Sequence, residues 1–236
     1  VTAAGAAAAP GGGVLAGRKV LVTAGPTRER LDPVRFLSNR SSGRMGYAVA
    51  AACAAAGAEV TLVSGPVGIP APAGVELVSV ESARDMHEAV MRRAANLDLF
   101  IGTAAVADYE CRSPADHKLK KAQLGDRMVL ELTPAPDILK AVAALAGGPF
   151  TVGFAAETRD LEHHARDKLE RKRLDMIAAN LVGDGQAFDC EDNAITVFWP
   201  GGGQAELGRA PKDELAHRLV RLIAARLADA RAPATT

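Results

Sequence analysis

Three stretches of this chain place charged and hydroxyl side chains where they could handle an anionic ligand. The first, Gly25 to Gly46, reads GPTRERLDPVRFLSNRSSGRMG. It carries five arginines (Arg28, Arg30, Arg35, Arg40, Arg44) together with Thr27, Ser38, Ser41 and Ser42. It leads from an apolar run into a helix-like stretch. A helix start presents unpaired backbone N–H groups and about half a positive charge, so Ser41-Ser42-Gly43 ahead of one would make an anion cradle. The same arginines would also suit a solvated surface loop, and spacing does not choose between the two.

The second stretch is Gly102-Thr-Ala-Ala-Val-Ala-Asp108-Tyr109, followed by His117-Lys118-Leu119-Lys120-Lys121. Small residues at the end of a strand let a flat ligand approach the backbone, and Asp108 could accept hydrogen bonds from a base or a sugar. The loop lysines are either solvated charges or a reach toward a polyphosphate. The third is Lys168 with Lys172, four residues apart on one helix face. Like charges so placed cost ~0.2–0.5 kcal/mol, which a surface tolerates and a bound phosphate would offset. Taken in isolation, that pair reads as surface.

The familiar signatures fit poorly. A dinucleotide site wants a glycine-rich turn after the first strand and an acid about 20 residues on. The turn here is Ala24-Gly25-Pro26-Thr27, and the second strand ends in Val63-Ser64-Gly65 with no acid. Gly12 to Gly17 with Arg18 is a near miss to a P-loop, but it lacks the Lys-Ser/Thr pair and precedes the strand. No Gly-x-Ser-x-Gly elbow occurs. His163 and His164 are adjacent, so on a helix they point to different faces and would not share a metal.

These residues need a frame. After the Ala/Gly/Pro-rich residues 1–17, read as a flexible linker ahead of a domain spanning 18–236, apolar runs alternate with helical stretches. The runs Lys19–Ala24, Val60–Ser64, Leu97–Thr103, Phe150–Ala155 and Met176–Ala179 are nearly continuous, as strands covered on both faces are. Helices are expected over Gly43–Ala56, Ala83–Ala95, Pro136–Leu145 and Leu161–Arg173. Ser82 with Asp85 forms a capping box, Pro136 stands as a first helical residue, and Asp160 caps the next helix. The alternation predicts an α/β fold with a doubly wound, mostly parallel, Rossmann-like sheet and a ligand crevice at the strand C-termini. Ala194–Trp199 and Gln204–Leu207 around Pro-Gly-Gly-Gly add a late β-hairpin. A last amphipathic helix runs from Pro211 to about Asp229.

Composition narrows the classes. Of 236 residues, 48% are apolar and 24% charged, with Lys+Arg and Asp+Glu both at 28. A net charge of zero argues against coating nucleic acid. The longest apolar stretch, Tyr47 to Ala58, falls short of the ~20 residues that cross a bilayer. Three cysteines without paired spacing suggest neither a disulfide framework nor a zinc site, and a reducing cytoplasm is expected. The start at Val1 suggests a piece of a longer polypeptide.

The ordered segments GPTRERLDPVRFLSNRSSGRMG, GTAAVADY, HKLKK, PDIL, GFAAET and RDKLERKRLD resemble bacterial phosphopantothenate–cysteine ligase over roughly Gly17 to Ala230. That domain is usually fused behind a flavin-dependent phosphopantothenoylcysteine decarboxylase. The resemblance implies ligation of L-cysteine to 4′-phosphopantothenate with CTP and Mg²⁺, through an acyl-cytidylate. It also implies a homodimer, and it predicts no flavin and no protein-built metal site in this segment. By the same resemblance Lys118 is the catalytic lysine at the phosphate under attack, and Asn39 holds the acyl intermediate, with Arg35 and the backbone at Ala105 beside it. Nucleotide contacts fall on Gly102, Thr103, Ala104, Asp108 and Lys118, on Pro136, Asp137, Ile138 and Leu139, and on Phe154, Lys168 and Lys172. Two other readings stand beside it: an NAD(P)-linked oxidoreductase, and a nucleotide-binding module without catalysis.

Overall fold

The computed structural model describes residues 12–182 and 192–231. The chain opens with β1 (Lys19–Ala24), a small hairpin of β2 (Arg28–Arg30) and β3 (Phe36–Ser38), and α1 (Arg44–Ala55). Next come β4 (Glu59–Ser64), β5 (Val75–Ser79), α2 (Ala83–Ala94) and β6 (Leu99–Gly102). The polar stretch beyond them holds β7 (Tyr109–Cys111), the short α3 (Lys121–Leu124) and β8 (Leu132–Pro134). Then follow α4 (Ile138–Ala143), β9 (Phe150–Glu157), α5 (Leu161–Lys172), β10 (Met176–Leu181), β11 (Asp192–Trp199), β12 (Gly203–Pro211) and α6 (Lys212–Arg231).

Eight strands form one sheet in the order β12-β11-β10-β9-β6-β1-β4-β5. The six from β5 to β10 run parallel, with Val20 beside both Val60 and Leu99. β11 and β12 add the antiparallel hairpin. Alternate strand residues face opposite layers. Val20, Val22 and Leu62 meet Val49 and Cys53 of α1 and Leu219 and Ile223 of α6. Leu21 and Phe100 meet Met86 and Val90 of α2 and Ile138 and Val142 of α4. Burying each such side chain contributes ~1.5–3 kcal/mol over leaving it exposed, so apolar residues on both faces favour a sheet sandwiched between helices. The expected doubly wound, mostly parallel architecture is thus observed.

Four local details differ from expectation. Residues 13–17 do not run as linker. Leu15 is 1% exposed, its N–H donates to the Ala56 carbonyl at 3.0 Å, and that of Gly17 to Gly57 at 3.2 Å. One apolar side chain among alanines and glycines suffices to dock this turn; residues 1–11 of the expected linker lie outside the described residues. Pro136 does not open the α4 helix, because Asp137 is its N-cap, with its carboxylate accepting from the Lys140 N–H at 3.1 Å. Asp160 does precede α5, but with φ 48° and no side-chain cap. The exposed edge strand β5 carries too little apolar signal to be read from sequence. The Ser82–Asp85 capping box forms as expected.

Candidate functional site

In an open parallel sheet, ligands bind where neighbouring strands send their following helices to opposite faces. Here that point lies between β1 and β6: α1, after β1, packs with α6, while α4, after β6, packs with α2 on the other side. The loops leaving these two strands are the first two chemistry-bearing stretches. They bind each other. The Ala105 N–H donates to the Gly25 carbonyl at 2.9 Å, and the Thr27 hydroxyl accepts from the Ala107 N–H at 3.0 Å. Asn39 Nδ2 donates to the Val106 carbonyl at 3.0 Å and to that of Ala105 at 3.4 Å.

Two cavities flank this floor. The first, of about 330 Å³, is walled by Gly102, Ala104, Ile138, Leu139 and Phe154, with Asp108, Pro136, Asp137, Lys168 and Lys172 at its polar side. Lys172 Nζ lies 3.0 Å from Asp137 Oδ1, and Lys168 Nζ donates to the Phe154 carbonyl at 2.8 Å. Burial, and next the neighbouring Lys172 charge, push the Lys168 ammonium below the ordinary lysine value, against the pull of Glu157, Asp108 and Asp137. Burial opposes ionisation of Asp137, yet the Lys140 amide and the Lys172 and Lys168 charges hold its carboxyl below the usual carboxylate range. An apolar slot edged by Asp108, by the Asp137–Lys172 pair and by Lys168 suits a flat molecule that carries both hydrogen-bond donors and anionic groups.

The second cavity, of about 350 Å³, shares Ala104, Val106, Asp108, Phe154 and Lys168 with the first. Its other walls bring in Asn39, Thr103, Ala105, the Ser41–Gly46 run, and Asn180, Asn193 and Lys212. α1 starts at Gly43 (φ 74°) with no side-chain cap and no acid in its first turn, so its positive end faces the cavity without a carboxylate of its own helix against it. Gly46 permits this approach: a Cβ there would stand 2.6 Å from the Ala24 Cβ and 2.3 Å from Thr103 Oγ1.

The structure therefore gathers Asn39, Gly102, Thr103, Ala104, Ala105, Asp108, the run 136–139, Phe154, Lys168 and Lys172 around two joined cavities. Lys118 and Arg35 line neither. Lys118 is exposed on the loop after β7. Arg35 Nη2 donates to the Leu119 carbonyl at 2.8 Å, and its Nε and Nη2 reach Asp32 Oδ2 at 2.9 and 2.6 Å. That guanidinium, against the effect of burial and helped by the Val34, Leu119 and Arg35 amides, holds Asp32 well below the usual carboxylate range. Lys212, Asn180 and Asn193 escaped sequence reading, for they enter the wall only because β11 and β12 fold back beside β10 and bring the start of α6 to the crevice. Among the described residues no three His, Cys, Asp or Glu side chains group as a metal site, and no helix is long and apolar enough to cross a membrane.

The chain is similar to known proteins over most of its length. It is 53% identical over 212 residues to the coenzyme A biosynthesis bifunctional protein CoaBC of Vibrio cholerae, covering 89% of this chain and 53% of that protein. With the Bacillus subtilis protein of the same name it shares 46% identity over 213 residues, 89% of this chain and 52% of that one. The chain thus spans about half the length of these relatives. The crystal structure of the C-terminal domain of a CoaBC matches with TM-score 0.78 and 41% identity, over 92% of this chain and 99% of that one. A Cab2 variant in complex with phosphopantothenate-cysteine matches in fold, with TM-score 0.73 and 18% identity over 90% of this chain and 87% of that one. Residues 15–227 match the family described as DNA/pantothenate metabolism flavoprotein C-terminal domain, and the chain belongs to that family.

Proposed function

We propose that the chain is a phosphopantothenate–cysteine ligase of coenzyme A biosynthesis, joining L-cysteine to 4′-phosphopantothenate with CTP. The observation that carries this reading is the pair of cavities sharing Asp108, Phe154 and Lys168, in a family member about half identical to the CoaBC proteins. One cavity offers an apolar slot edged by lysines, and the other an uncapped helix start beside the Asn39 amide. Two anionic reactants can therefore meet across one shared wall.

In this reading a pantothenate carboxylate oxygen attacks the α-phosphorus of CTP, and the bond to the β-phosphate oxygen breaks to release pyrophosphate. The cysteine amine then attacks the acyl carbon, the acyl–oxygen bond breaks, CMP departs, and a proton leaves the amine. Both steps shift negative charge among phosphate oxygens, so positioning and electrostatic stabilisation carry the catalysis. Lys168 and Lys172 hold the nucleotide's charge. Asn39 orients the acyl group, since a carboxamide both donates and accepts, and Ala105 lends backbone contacts. Lys118 serves the attacked phosphate from its loop. Arg35 stands beside the intermediate while its guanidinium rests on Asp32 and the Leu119 carbonyl. Mg²⁺ fits as a companion of the triphosphate, held by phosphate and water rather than by protein carboxylates.

The expected homodimer belongs to the same proposal. Exposed Val34, Phe36, Tyr109 and Leu132 on and beside the two small hairpins offer an apolar face for a second copy, which light scattering would detect. A cytoplasmic setting and a decarboxylase partner domain follow from the reading as well. The deciding experiment follows pyrophosphate with 4′-phosphopantothenate, Mg²⁺ and CTP or ATP, with and without cysteine, beside Lys118→Gln. CTP-dependent release that the variant loses is the expected result. CTP binding without release would leave a nucleotide-binding module. Binding of NAD(P)H but not CTP would restore the oxidoreductase reading, against which Ser64 stands at the end of β4 where a ribose-binding acid is needed.

A further inference from the structure

The loop carrying Lys118 is fixed to the protein at two places, one on each side of the lysine. The Ala115 N–H donates to the Leu31 carbonyl at 2.9 Å. Four residues later, the Leu119 N–H donates to Asp32 Oδ2 at 3.1 Å, while Arg35 donates to the Leu119 carbonyl at 2.8 Å. Asp32 is the hub. It is 2% exposed, its Oδ1 accepts from the Val34 and Arg35 amides at 2.8 and 2.9 Å, and its Oδ2 takes the Arg35 fork as well as Leu119. A carboxylate with this many donors pins both the turn that holds it and the loop segment docked on it.

That turn leads straight through β3 into Asn39, whose amide ties the 105–106 carbonyls of the floor. One rigid path therefore runs from the Lys118 loop through Asp32 and Arg35 to the wall of the second cavity. We propose that Asp32, which lines neither cavity, is a positioning residue for the nucleotidyl-transfer step, holding the Lys118 loop in register with Asn39 through Arg35 and the Leu119 backbone. The role rests on the ligase reading given above. Its consequence is specific: apart from Lys118, the proposed nucleotide contacts sit on elements that Asp32 does not touch, so its loss strikes turnover far more than affinity.

The test compares the intact chain with Asp32→Asn, Lys118→Gln and the double variant. Single-turnover pyrophosphate release, CTP affinity by calorimetry, and hydrogen exchange over residues 112–120 are measured for each. A misplacement near 1 Å costs about 10²-fold in rate, so Asp32→Asn is expected to slow release about 10²-fold, leave the CTP Kd within about twofold, and speed exchange in the loop. In the Lys118→Gln background the same change is expected to cost little more, because its effect passes through Lys118. Equal losses in both backgrounds, a parallel loss of CTP affinity, or an unchanged rate would each overturn the role. If Asp32→Asn does not fold, Leu119→Pro asks the same question, since it removes the amide that Asp32 holds and leaves the Asp32–Arg35 pair in place. An intact chain that releases no pyrophosphate overturns the ligase reading and this role with it. Slow loop exchange in that chain, lost in Asp32→Asn, would show that the clamp itself is real.

Discussion

Lys168 is the cationic side chain among those that both cavities share, and replacing it by methionine separates binding from stability. The ammonium donates to the Phe154 carbonyl at 2.8 Å and lies half-buried beside Lys172, so the folded chain holds an ion whose charged form burial disfavours. A hydrogen bond to a charged group contributes about 1.5–3 kcal/mol. If the same ammonium binds a nucleotide phosphate, Lys168→Met is expected to weaken CTP binding about 10- to 150-fold at 1.4 kcal/mol per tenfold. Stability should move the other way or not at all, since methionine fills similar space and removes the desolvated charge and its repulsion with Lys172. The pH dependence follows by sign. With the native pKa lowered, the unfolded chain binds the proton more tightly, so stability rises with pH between the lowered native value and 10.5. Lys168→Met should lose that rise. Calorimetric CTP titration and urea unfolding from pH 7 to 10.5 measure both effects. CTP binding as tight as in the parent chain would refute the placement of Lys168 at the phosphates, and a fall in stability at neutral pH would refute the desolvation argument.

Gly46→Ala would set a methyl group against Ala24 and Thr103. Overpacking of this kind costs about 1–3 kcal/mol, or a Tm lowered by about 2–4 °C per kcal/mol at this size, and the displaced α1 should raise KM for the anionic substrates; scanning calorimetry and steady-state kinetics check both. Asp137→Ala removes the α4 cap, worth about 1 kcal/mol, and the Lys172 partner together, whereas Asp137→Asn should retain the cap and lose only the ion pair. Because the Asp137 carboxyl is held below the usual range, its charge-dependent share of stability is present above the unfolded carboxylate pKa and lost as pH falls through the native one, so Asp137→Asn should converge with the parent in acid melts while Asp137→Ala keeps the deficit of the lost cap. Cys53, buried with its thiol pushed up to about 12, should resist alkylation in the native chain and be modified only on unfolding, as peptide mass spectrometry would show.

The parallel strands were legible because burial on both faces leaves a mark that needs no partner to be read. KVLVTA and the run through Leu99–Gly102 are apolar without alternation, and each lies inside the sheet as such runs must. β5 left no such mark, since an edge strand half open to water is chosen by its neighbour β4 and not by its own residues. The residues lining the two cavities were legible only in part. Gly102 to Asp108 follow a strand directly, so sheet topology alone sends them to the crevice. Lys118 and Arg35 were named through resemblance, and the Asp32 clamp explains why composition could not have paired them: 84 residues separate Arg35 from the Leu119 carbonyl it binds.

Lys168 and Lys172 show most clearly where local reasoning stops. Viewed along one helix they are a small like-charge penalty on a solvated face, and nothing in the α5 sequence contradicts that. The face is only partly solvated, because β9 carries Phe154 and the cap of α4 carries Asp137 against it: the Phe154 carbonyl takes the first ammonium and the Asp137 carboxylate the second. Those partners lie 14 and 35 residues away. A repulsion of ~0.2–0.5 kcal/mol is thus kept in place by two charge-assisted contacts that each outweigh it. Both ammonium groups so held face a cavity that also carries Asp108 and Asp137, so there the charges balance. The positive excess lies in the adjoining cavity, where among the described lining residues Arg44, Lys168 and Lys212 stand against Asp108 alone, and it is a property of elements packed together that supplies an electrostatic reason for an anion to enter this crevice.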